Sequence, residues 1–236
     1  MTPRNNDNNK DNNPSGAKHP PDAIVVRSDL LQHPYVVAGA GIALLVHLSA
    51  LLSLPPAIMG RGAPFLPTTS KHGNAMFQQL QEQLAKSTRL QQKLQQKSLQ
   101  FVDLGSGDGR LVFQAARQGI FHSSVGYEIN PVLHGVAHTR RLLQAPTYWK
   151  STQFRLKDIW KVNLQHVDVV AVYGLTPIMK PLGVKLQQEL APGSIVISNV
   201  FAFPGWKPES TSPQGTHLYV VPPIDKEGHV VEETVP

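Results

Sequence analysis

The chain has 236 residues, of which 41% are hydrophobic and none is cysteine. This length predicts one folded domain of ordinary size, and the lack of cysteine excludes disulfides, thiolate metal sites and a cysteine nucleophile. The net charge of +6 favours acidic partners. No nucleic-acid partner and no metal site are predicted, because the 22 Lys and Arg residues form no run of five or more and, on our reading, no two of the ten His residues pair on a helix.

Residues 1–34 are predicted to be a disordered leader. The first 22 residues are rich in Asn, Asp, Pro and Lys and contain almost no side chain that could enter a core. An apolar segment follows, since Tyr35 to Leu54 carries no formal charge. As a helix this stretch would be about 30 Å long, which is close to the hydrocarbon thickness of a bilayer. We therefore predict a transmembrane or membrane-anchoring helix over 35–56, with a buried core helix as the alternative.

Residues 57–99 are predicted to form a connecting loop and an amphipathic helix. Pro and Gly punctuate 60–74, as is typical of a loop. Apolar residues then recur at helix spacing over 75–97, with Gln and Lys between them. Only one stripe is apolar, so we expect this helix to pack by one face on the domain. The apolar residues of the stripe are Met76, Leu80, Leu84, Leu90 and Leu94.

Strands and helices alternate over residues 100–222, which form the predicted domain, and 223–236 are predicted to be a flexible tail. Alternation of this kind implies right-handed crossovers, so the predicted fold class is α/β, a mostly parallel sheet with helices on both faces. A final strand after a Pro-rich loop at 204–213 is a candidate antiparallel strand. The predicted strands are 101–104, 124–128, 154–157, 167–173, 194–200 and 217–221, and the predicted helices are 111–118, 131–143 and 177–190.

The segment from Asp103 to Gly109 reads Asp-Leu-Gly-Ser-Gly-Asp-Gly, follows the first predicted strand and opens a helix. Gly105, Gly107 and Gly109 allow a sharp turn and let a ligand approach the backbone without a Cβ in the way. The helix that follows has free amide groups at its N-terminus. A nucleotide-type cofactor is therefore predicted at this turn.

Charge decides between the two cofactor classes that use such a turn. Dinucleotide enzymes have Gly-x-Gly-x-x-Gly and place a diphosphate at the helix N-terminus. Here the sixth position is Arg110, and the carboxylates of Asp103 and Asp108 would repel a diphosphate. Two carboxylates suit a ligand that carries a sulfonium and an ammonium. We therefore predict S-adenosylmethionine, and a nicotinamide oxidoreductase is disfavoured.

Two further acids end later strands of the same series. Glu128 ends the second strand and can accept both ribose hydroxyls. Asp158 follows the third strand and can accept from the adenine amino group, while Ile159 or Trp160 covers the ring. Taken singly, either acid is more often a plain surface residue. Because ligands of open α/β sheets bind at the carboxyl ends of strands, acids that end three strands of one sheet predict a common pocket.

Several blocks of the sequence resemble the small membrane-associated lysine methyltransferases of mitochondria, those acting on the c-ring protein of ATP synthase (its c subunit) and on the adenine nucleotide translocase. The glycine turn is shared by many methyltransferases, whereas Trp160-Lys161 and Phe-x-Phe-Pro-x-Trp at 201–206 are more particular. The blocks also distantly resemble the non-SET histone-lysine methyltransferases. The resemblance covers about 35–208 and consists of the apolar segment, Pro64–Ser70, Asp103–Arg110, Gly126–Pro131, Asp158–Lys161, Tyr173-Gly174, Met179–Leu190 and Phe201–Pro208.

The resemblance implies a seven-strand, Rossmann-like class I methyltransferase that methylates a lysine of a membrane protein, at the mitochondrial inner membrane. It also implies that Asn199 lines the lysine channel. Tyr173 and Trp160 are candidates for the aromatic walls of that channel. Phe201, Phe203 and Trp206 are further aromatic candidates for the channel, since aromatic walls hold a methylated ammonium by cation–π attraction. The cofactor-binding residues expected from the residue patterns and, for Thr69, from the resemblance alone are Thr69, Asp103, Gly105, Gly107, Gly109, Glu128, Asp158 and Ile159.

Two alternatives remain open. A methyltransferase for RNA or a small molecule would keep the cofactor site. Amino-methylating nucleic-acid enzymes usually have an Asn/Asp-Pro-Pro-Tyr/Phe block after the fourth strand, however, where this chain has Tyr-Gly-Leu-Thr-Pro at 173–177. A non-catalytic cofactor-binding membrane scaffold would keep the acids without turnover.

Overall fold

The computed structural model of the protein describes residues 34–58, 69–174 and 176–222. The predicted tail at 223–236 and the predicted leader, apart from Pro34, lie outside the described residues, as does part of the predicted loop, 59–68. The chain divides into two compact units between Ile42 and Ala43, and each is described by itself.

Helix α1 (Pro34–Ile58) covers the apolar segment predicted to be helical at 35–56. Its described apolar side chains are exposed, with Tyr35 88%, Ile42 63% and Leu44 68% accessible to solvent. In the part of the chain that the structure describes, no helix has the length and hydropathy that crossing a bilayer requires.

A seven-stranded sheet lies at the centre of the second unit, in the order β3-β2-β1-β4-β5-β7-β6. The first five strands are parallel and β7 runs antiparallel to β5, which confirms the predicted α/β class and the direction of the last strand. The short strand β6 is absent from the prediction because it lies in the Pro-rich segment. The strands are β1 (Gln100–Leu104), β2 (Ser123–Glu128), β3 (Thr152–Leu156), β4 (Val169–Val172), β5 (Ile195–Asn199), β6 (Ser210–Thr211) and β7 (Thr216–Val220).

Two helices, α2 (Ser70–Lys86) and α3 (Thr88–Gln95), replace the single helix predicted over 75–97. The break is at Ser87, whose backbone is extended and whose N–H donates to the carbonyl of Leu84. Its hydroxyl accepts from the N–H of Leu90, so one serine ends the first helix and caps the second. The remaining helices agree with the prediction to within one residue at every boundary and are α4 (Arg110–Arg117), α5 (Pro131–Leu143) and α6 (Thr176–Glu189).

Apolar side chains cover both faces of the sheet. Successive strand residues point to opposite faces, so Phe101 packs with residues of α2 and α4 on one side, while Val102 packs with residues of α6 on the other. Strands buried on both faces read as continuous apolar runs. This explains why β4 (Val-Val-Ala-Val, fully buried) is recognisable from the sequence.

The connection from β3 to β4 contains no α-helix, only a 3₁₀ turn at Ile159–Lys161. Side chains of α6 hold this connection in place. Lys185 Nζ donates to the carbonyl of Val162 at 2.7 Å, and the N–H of Leu164 donates to the Glu189 carboxylate at 3.1 Å. Lys185 and Glu189 also pair with each other. The turn that carries part of the predicted cofactor site is thereby fixed to the domain.

Candidate active site

The predicted site residues gather at one edge of the sheet. Asp103 lies one residue before the end of β1, Glu128 ends β2, and Asn199 ends β5. Neighbouring parallel strands finish at the same edge, where open α/β sheets bind ligands. The roles of the individual residues stay predictions, and their surroundings decide what each can do.

The glycine turn between β1 and α4 depends on its glycines. Gly105, Gly107 and Gly109 have φ angles of 82°, 53° and 78°, in the left-handed region that favours glycine. The N–H of Gly105 donates to the carbonyl of Tyr127 at 2.9 Å, which fastens the turn to β2. A Cβ on Gly109 would lie 2.5 Å from the Phe154 ring, whereas one on Gly105 would meet nothing within 4 Å. The turn is closed by packing at Gly109 and open to a ligand at Gly105.

Asp103 is a buried acid beside this turn. Its side chain belongs to a residue that is only 6% exposed. Burial, with additional repulsion from Glu128 and Asp108, raises the pKa of Asp103 to about 8. Among the described residues, none places a cationic side chain within salt-bridge distance of it. A ligand ammonium would offset the cost of ionising this carboxyl, so the position favours a cationic ligand.

Asp108 differs, because the protein itself neutralises it. Its carboxylate is 2.6 Å from Arg110 Nη2 and 2.8 Å from Arg140 Nη1. Burial raises the pKa of Asp108, but the hydrogen bonds and charge of Arg110 and the charge of Arg140 outweigh that effect, so the pKa lies below its usual value. The sequence argument that counted Asp108 as a charge for the cofactor is therefore wrong, and Asp103 is the acid of the turn that can serve a cation.

Glu128 is held in one orientation by backbone amides. Its carboxylate accepts from the N–H of Gly107 and from the N–H of Asn130, each at 2.8 Å. Burial raises the pKa of Glu128 despite these bonds, which act in the opposite direction. A carboxylate has about four lone-pair sites, so this one keeps acceptor capacity for hydroxyl donors such as those of a ribose.

Asp158 begins the 3₁₀ turn after β3. Its Oδ1 accepts from the N–H of Trp160 at 3.1 Å, which leaves the second oxygen for another donor. Ile159 is buried, with 8% exposure, while Asp158 and Trp160 are half-buried. This arrangement places a polar edge next to an apolar surface, and the binding of an aromatic base there stays a prediction.

An amide and two aromatic rings lie at the ends of β4 and β5. The rings of Tyr173 and Phe201 have centroids 6.4 Å apart, and both residues are half-buried. Asn199 is 1% exposed, and its Oδ1 accepts from the hydroxyl of Thr216 at 3.1 Å. Trp160 packs partly against the core on the same side of the sheet. These groups could line a channel for an amine.

The remaining aromatic candidates pack in the core. Phe203 is 2% exposed, and its ring centroid lies 5.1 Å from that of Trp206 and 5.5 Å from that of Tyr219. The N–H of Phe203 donates to the Tyr219 hydroxyl at 3.2 Å. A Cβ on Gly183 of α6 would lie 3.2 Å from Trp206 and 3.3 Å from Phe203. Packing explains Phe203 and much of Trp206 without a substrate.

Val200, between Asn199 and Phe201, has a φ angle of 66°. A β-branched residue in the left-handed region costs on the order of 1–3 kcal/mol and persists only where the surroundings enforce it. Here the N–H of Val200 donates to the carbonyl of Gly215 at 2.8 Å, and the N–H of Phe201 donates to the carbonyl of Asn199 at 2.8 Å. The strained turn lies directly beside the Asn199 amide.

Thr69 lies at the N-terminus of α2. Its hydroxyl accepts from the N–H of His72 at 3.4 Å and is 2.7 Å from that residue's Nδ1. The residue is exposed and acts as a helix cap. A contact with the methionine part of a cofactor stays a prediction.

Two histidines contradict the prediction that no histidines pair on a helix. His134 and His138 lie one turn apart on α5 with ring centroids 4.5 Å apart, a helical pairing that was not predicted from the sequence. Burial, with the neighbouring His138, lowers the pKa of His134. No third His, Cys, Asp or Glu joins them in a metal-binding group within the described parts of the chain.

Three residues near the site were not predicted from the sequence. Ser106 Oγ is buried without a hydrogen-bond partner, and a Cβ on Gly126 would lie 2.6 Å from it. Its position in the glycine turn is a signal that could have identified it. Arg140 and Thr216 carry no such signal, because only the folded chain brings them to Asp108 and Asn199. An orphaned hydroxyl, a buried acid without a cation, a fixed carboxylate and an open turn together fit S-adenosylmethionine.

A cavity of about 590 Å³ lies elsewhere, on the sheet face beside β1, β2 and β3. Its lining includes Val102, Tyr127, Lys150, Arg155 and His166 and none of the acids that end the three strands. It is therefore separate from the predicted cofactor edge.

Comparison with known proteins decides the family. The family described as the ANTKMT methyltransferase domain matches residues 103–210. The chain is 30% identical over 182 residues to the ATP synthase c-subunit lysine N-methyltransferase of Caenorhabditis elegans, which covers 76% of this chain and 89% of that protein. The chain belongs to this family of lysine N-methyltransferases.

Two mouse relatives in this lysine methyltransferase family are named for different substrates. The chain is 35% identical over 180 residues to the mouse ATP synthase c-subunit lysine N-methyltransferase, covering 76% of this chain and 65% of that protein. It is 38% identical over 120 residues to the mouse adenine nucleotide translocase lysine N-methyltransferase, covering 49% of each. The chain thus spans about two thirds or less of the length of these mouse relatives.

A solved structure supports the same fold and cofactor class. The chain matches an RNA methyltransferase from Salinibacter ruber, crystallised with S-adenosyl-L-homocysteine, with a TM-score of 0.56 and 26% identity over 71% of this chain and all of that one. The fold of this family member is that of the S-adenosylmethionine-dependent methyltransferases, which confirms the predicted fold class and cofactor.

Proposed function

We propose that this chain is an S-adenosylmethionine-dependent protein-lysine N-methyltransferase whose substrate is a membrane protein of mitochondria. The arrangement at the sheet edge carries the proposal: a buried acid at Asp103, a fixed carboxylate at Glu128, and the Asn199 amide beside Tyr173 and Phe201. The names of the relatives, which specify the c-subunit of ATP synthase and the adenine nucleotide translocase, support a lysine of a membrane protein as the acceptor.

The acids would hold the cofactor at three points. Asp103 would bind the ammonium of its methionine part, Glu128 the ribose hydroxyls, and Asp158 with Ile159 the adenine. When bound, S-adenosylmethionine supplies a methyl group that is already activated on a sulfonium. The work of the protein is therefore alignment of donor and acceptor, which can contribute up to ~7–11 kcal/mol.

The aromatic residues would prepare the acceptor amine. A lysine ammonium has no lone pair and must lose a proton before it can accept a methyl group. Enclosure beside Tyr173 and Phe201 would remove water, and burial of this kind lowers the pKa of an amine because it disfavours the charged form. The same rings attract the methylated ammonium by cation–π interaction. The released proton passes to water, since this scheme requires no dedicated base.

Association with a membrane rests on α1. Its exposed apolar side chains at Tyr35, Ile42 and Leu44 are available to a bilayer, and the relatives are named for the c-subunit of ATP synthase and the adenine nucleotide translocase. A helix that contacts the bilayer would raise the local concentration of enzyme around such a substrate.

The activity is tested with labelled S-adenosylmethionine, the purified chain, and separate pools of detergent-solubilised mitochondrial membrane protein and total RNA. We expect label on protein lysine with the wild-type chain. Glu128→Gln should lose at least about tenfold in kcat/KM, because it removes charged acceptor bonds worth ~1.5–3 kcal/mol. The exposed acid Glu82 provides a matched control, and Glu82→Gln should behave as wild type. Label confined to RNA would instead support the alternative substrate class.

The role of α1 is tested with two substrates that carry the same lysine, one in detergent-free membrane vesicles and one in a soluble peptide. Replacement of Ile42, Leu44 and Leu48 by Gln should lower methylation of the vesicle substrate and leave the peptide rate unchanged. Equal rates on vesicles before and after the replacement would contradict the proposed membrane association.

A further inference from the structure

We propose that Thr216 is a positioning residue that fixes the amide of Asn199 for the substrate amine. The inference rests on the proposed function, because it assigns Asn199 to the lysine channel. It concerns the hairpin β6–β7, whose tip lies beyond the residues 103–210 that the family description matches. Thr216 would act through Asn199 and not by touching the reacting atoms.

The contact itself is built into the sheet. Thr216 begins β7 and lies opposite Asn199 in the antiparallel register of β5 and β7. The Thr216 hydroxyl donates to Asn199 Oδ1 at 3.1 Å. Thr216 is fully buried and Asn199 is 1% exposed, so water cannot substitute for this bond at either residue. The pair is therefore a fixed donor–acceptor contact in the interior.

The other half of the Asn199 amide lacks a protein partner. In the part of the chain that is described, the Asn199 amide nitrogen donates no hydrogen bond and is not among the fully buried unpaired atoms, which leaves it accessible to a ligand. An amide side chain has donors on one atom and an acceptor on the other. By holding the oxygen, the Thr216 hydroxyl decides which of the two the channel meets. Without that hydroxyl the amide can rotate by half a turn and exchange them.

The hairpin tip also holds the strained backbone next to this amide. The carbonyl of Gly215 accepts from the N–H of Val200, the residue in the left-handed region. The hydroxyl of Ser198 donates to the carbonyl of Phe201 at 2.5 Å, which closes the other side of the turn. The turn and the amide are thus fixed by the same hairpin, and Thr216 is its only residue with a side-chain bond to Asn199 among those described. This restraint is what alignment of an amine with the methyl donor requires.

The decisive variant is Thr216→Val, which keeps the shape of the side chain and removes the hydroxyl. We expect kcat for lysine methylation to fall roughly 5- to 10-fold, the loss that one neutral hydrogen bond represents. The dissociation constant for S-adenosylhomocysteine, measured by calorimetry, should change less than about twofold. Two variants with smaller side chains test the same hydroxyl. Thr216→Ser keeps the hydroxyl and should keep kcat near wild type, whereas Thr216→Ala removes it and should lower kcat as Thr216→Val does. This pair decides the question if Thr216→Val does not fold.

Thr152 offers a matched control for general effects of removing a buried hydroxyl. It is a fully buried strand residue whose hydroxyl donates to the carbonyl of Tyr148 at 2.7 Å, at the amino-terminal end of β3. Thr152→Val should lower thermal stability with kcat unchanged. In a double-mutant cycle with Asn199→Ala, Thr216→Val should produce no further loss of kcat, because its effect passes through the amide.

The outcomes separate this inference from the proposed function. A wild-type chain that methylates no lysine contradicts the proposed function and the inference with it. An active wild-type chain whose Thr216→Val variant keeps full kcat contradicts the inference alone. Equal losses of kcat in the presence and absence of the Asn199 side chain would show that Thr216 acts independently of the amide, which would also overturn the inference.

Discussion

Cofactor binding should exchange protons with the solvent, because the acid that would receive the cofactor ammonium is largely protonated beforehand. Burial, together with the charges of Glu128 and Asp108, raises the pKa of Asp103 to about 8. At pH 7 a carboxyl with this pKa holds roughly 0.9 proton. If a ligand ammonium binds against the ionised form, that proton must leave.

The ligand makes a smaller contribution of opposite sign. A free α-amino group has a pKa of about 7.7–8.0, so at pH 7 it needs about 0.1 proton to become fully charged. The net release at pH 7 is therefore about 0.8 proton per ligand bound. At about pH 8 the two contributions nearly cancel, and above it the ligand amine dominates and protons are taken up.

Isothermal titration calorimetry measures this exchange directly. S-adenosylhomocysteine, which carries the same amine, is titrated into the protein in two buffers of different ionisation enthalpy at pH 6.5, 7, 8 and 9. The difference in observed enthalpy between buffers gives the number of protons exchanged. We expect release at pH 7, a change of sign near pH 8, and uptake at pH 9. Tight binding without proton release at pH 7 would refute the assignment of Asp103 as the acceptor of the ammonium.

Three further predictions concern stability. Without cofactor, the unfolding free energy should fall by up to ~1.4 kcal/mol per pH unit as the pH rises from about 4 to 8, because the raised pKa of Asp103 makes the folded state bind the proton more tightly than the unfolded one. Asp103→Asn should flatten this pH dependence in urea unfolding curves. An unchanged slope in the variant would contradict the prediction. Gly109→Ala should abolish cofactor binding and cost more than about 2 kcal/mol, since its Cβ would meet the Phe154 ring at 2.5 Å; Gly119→Ala, with φ 70° and open space around its Cβ, should cost only about 1 kcal/mol, and equal losses would argue against the clash. Asp168→Ala should lower the unfolding free energy by about 2–4 kcal/mol, because this fully buried acid pairs with the partly exposed Arg89 and Lys93 of α3. The cofactor affinity of the folded protein should stay unchanged, since Asp168 lies at the opposite edge of the sheet. A loss below about 0.5 kcal/mol would contradict the idea that Asp168 anchors α3 to the sheet.

The strands were accessible from the sequence for a simple physical reason. A parallel strand buried on both faces is mostly apolar, so Val169–Val172 and the first three residues of Ile195–Asn199 are conspicuous, and right-handed crossovers then restrict the sheet order to few choices. The acids Asp103 and Glu128 were also accessible, because parallel strands end at a common edge and an acid there lies beside any ligand.

Other features depend on contacts that no local pattern records. Asp108 reads as a charge for the cofactor until Arg140, from a different helix, is seen to pair with it. The break at Ser87 follows from capping bonds on both sides of one serine. The apolar spacing widens there, from Leu84 to Leu90, but does not show which residue ends the first helix. The Thr216 hydroxyl reaches Asn199 only through the register of β5 and β7. Long-range pairing of this kind is fixed by the folded sheet and leaves no signal in a short window of sequence.

The central claim is that this chain transfers methyl groups from S-adenosylmethionine to lysine in a membrane protein. Mass spectrometry of membrane-protein lysines is the most direct measurement, in cells that lack the chain and in the same cells after return of the wild-type gene or Glu128→Gln. We expect that a methylated lysine disappears with the chain, returns with the wild type and stays absent with the variant. Unchanged lysine methylation in all three, with the wild-type protein folded and expressed, would contradict it.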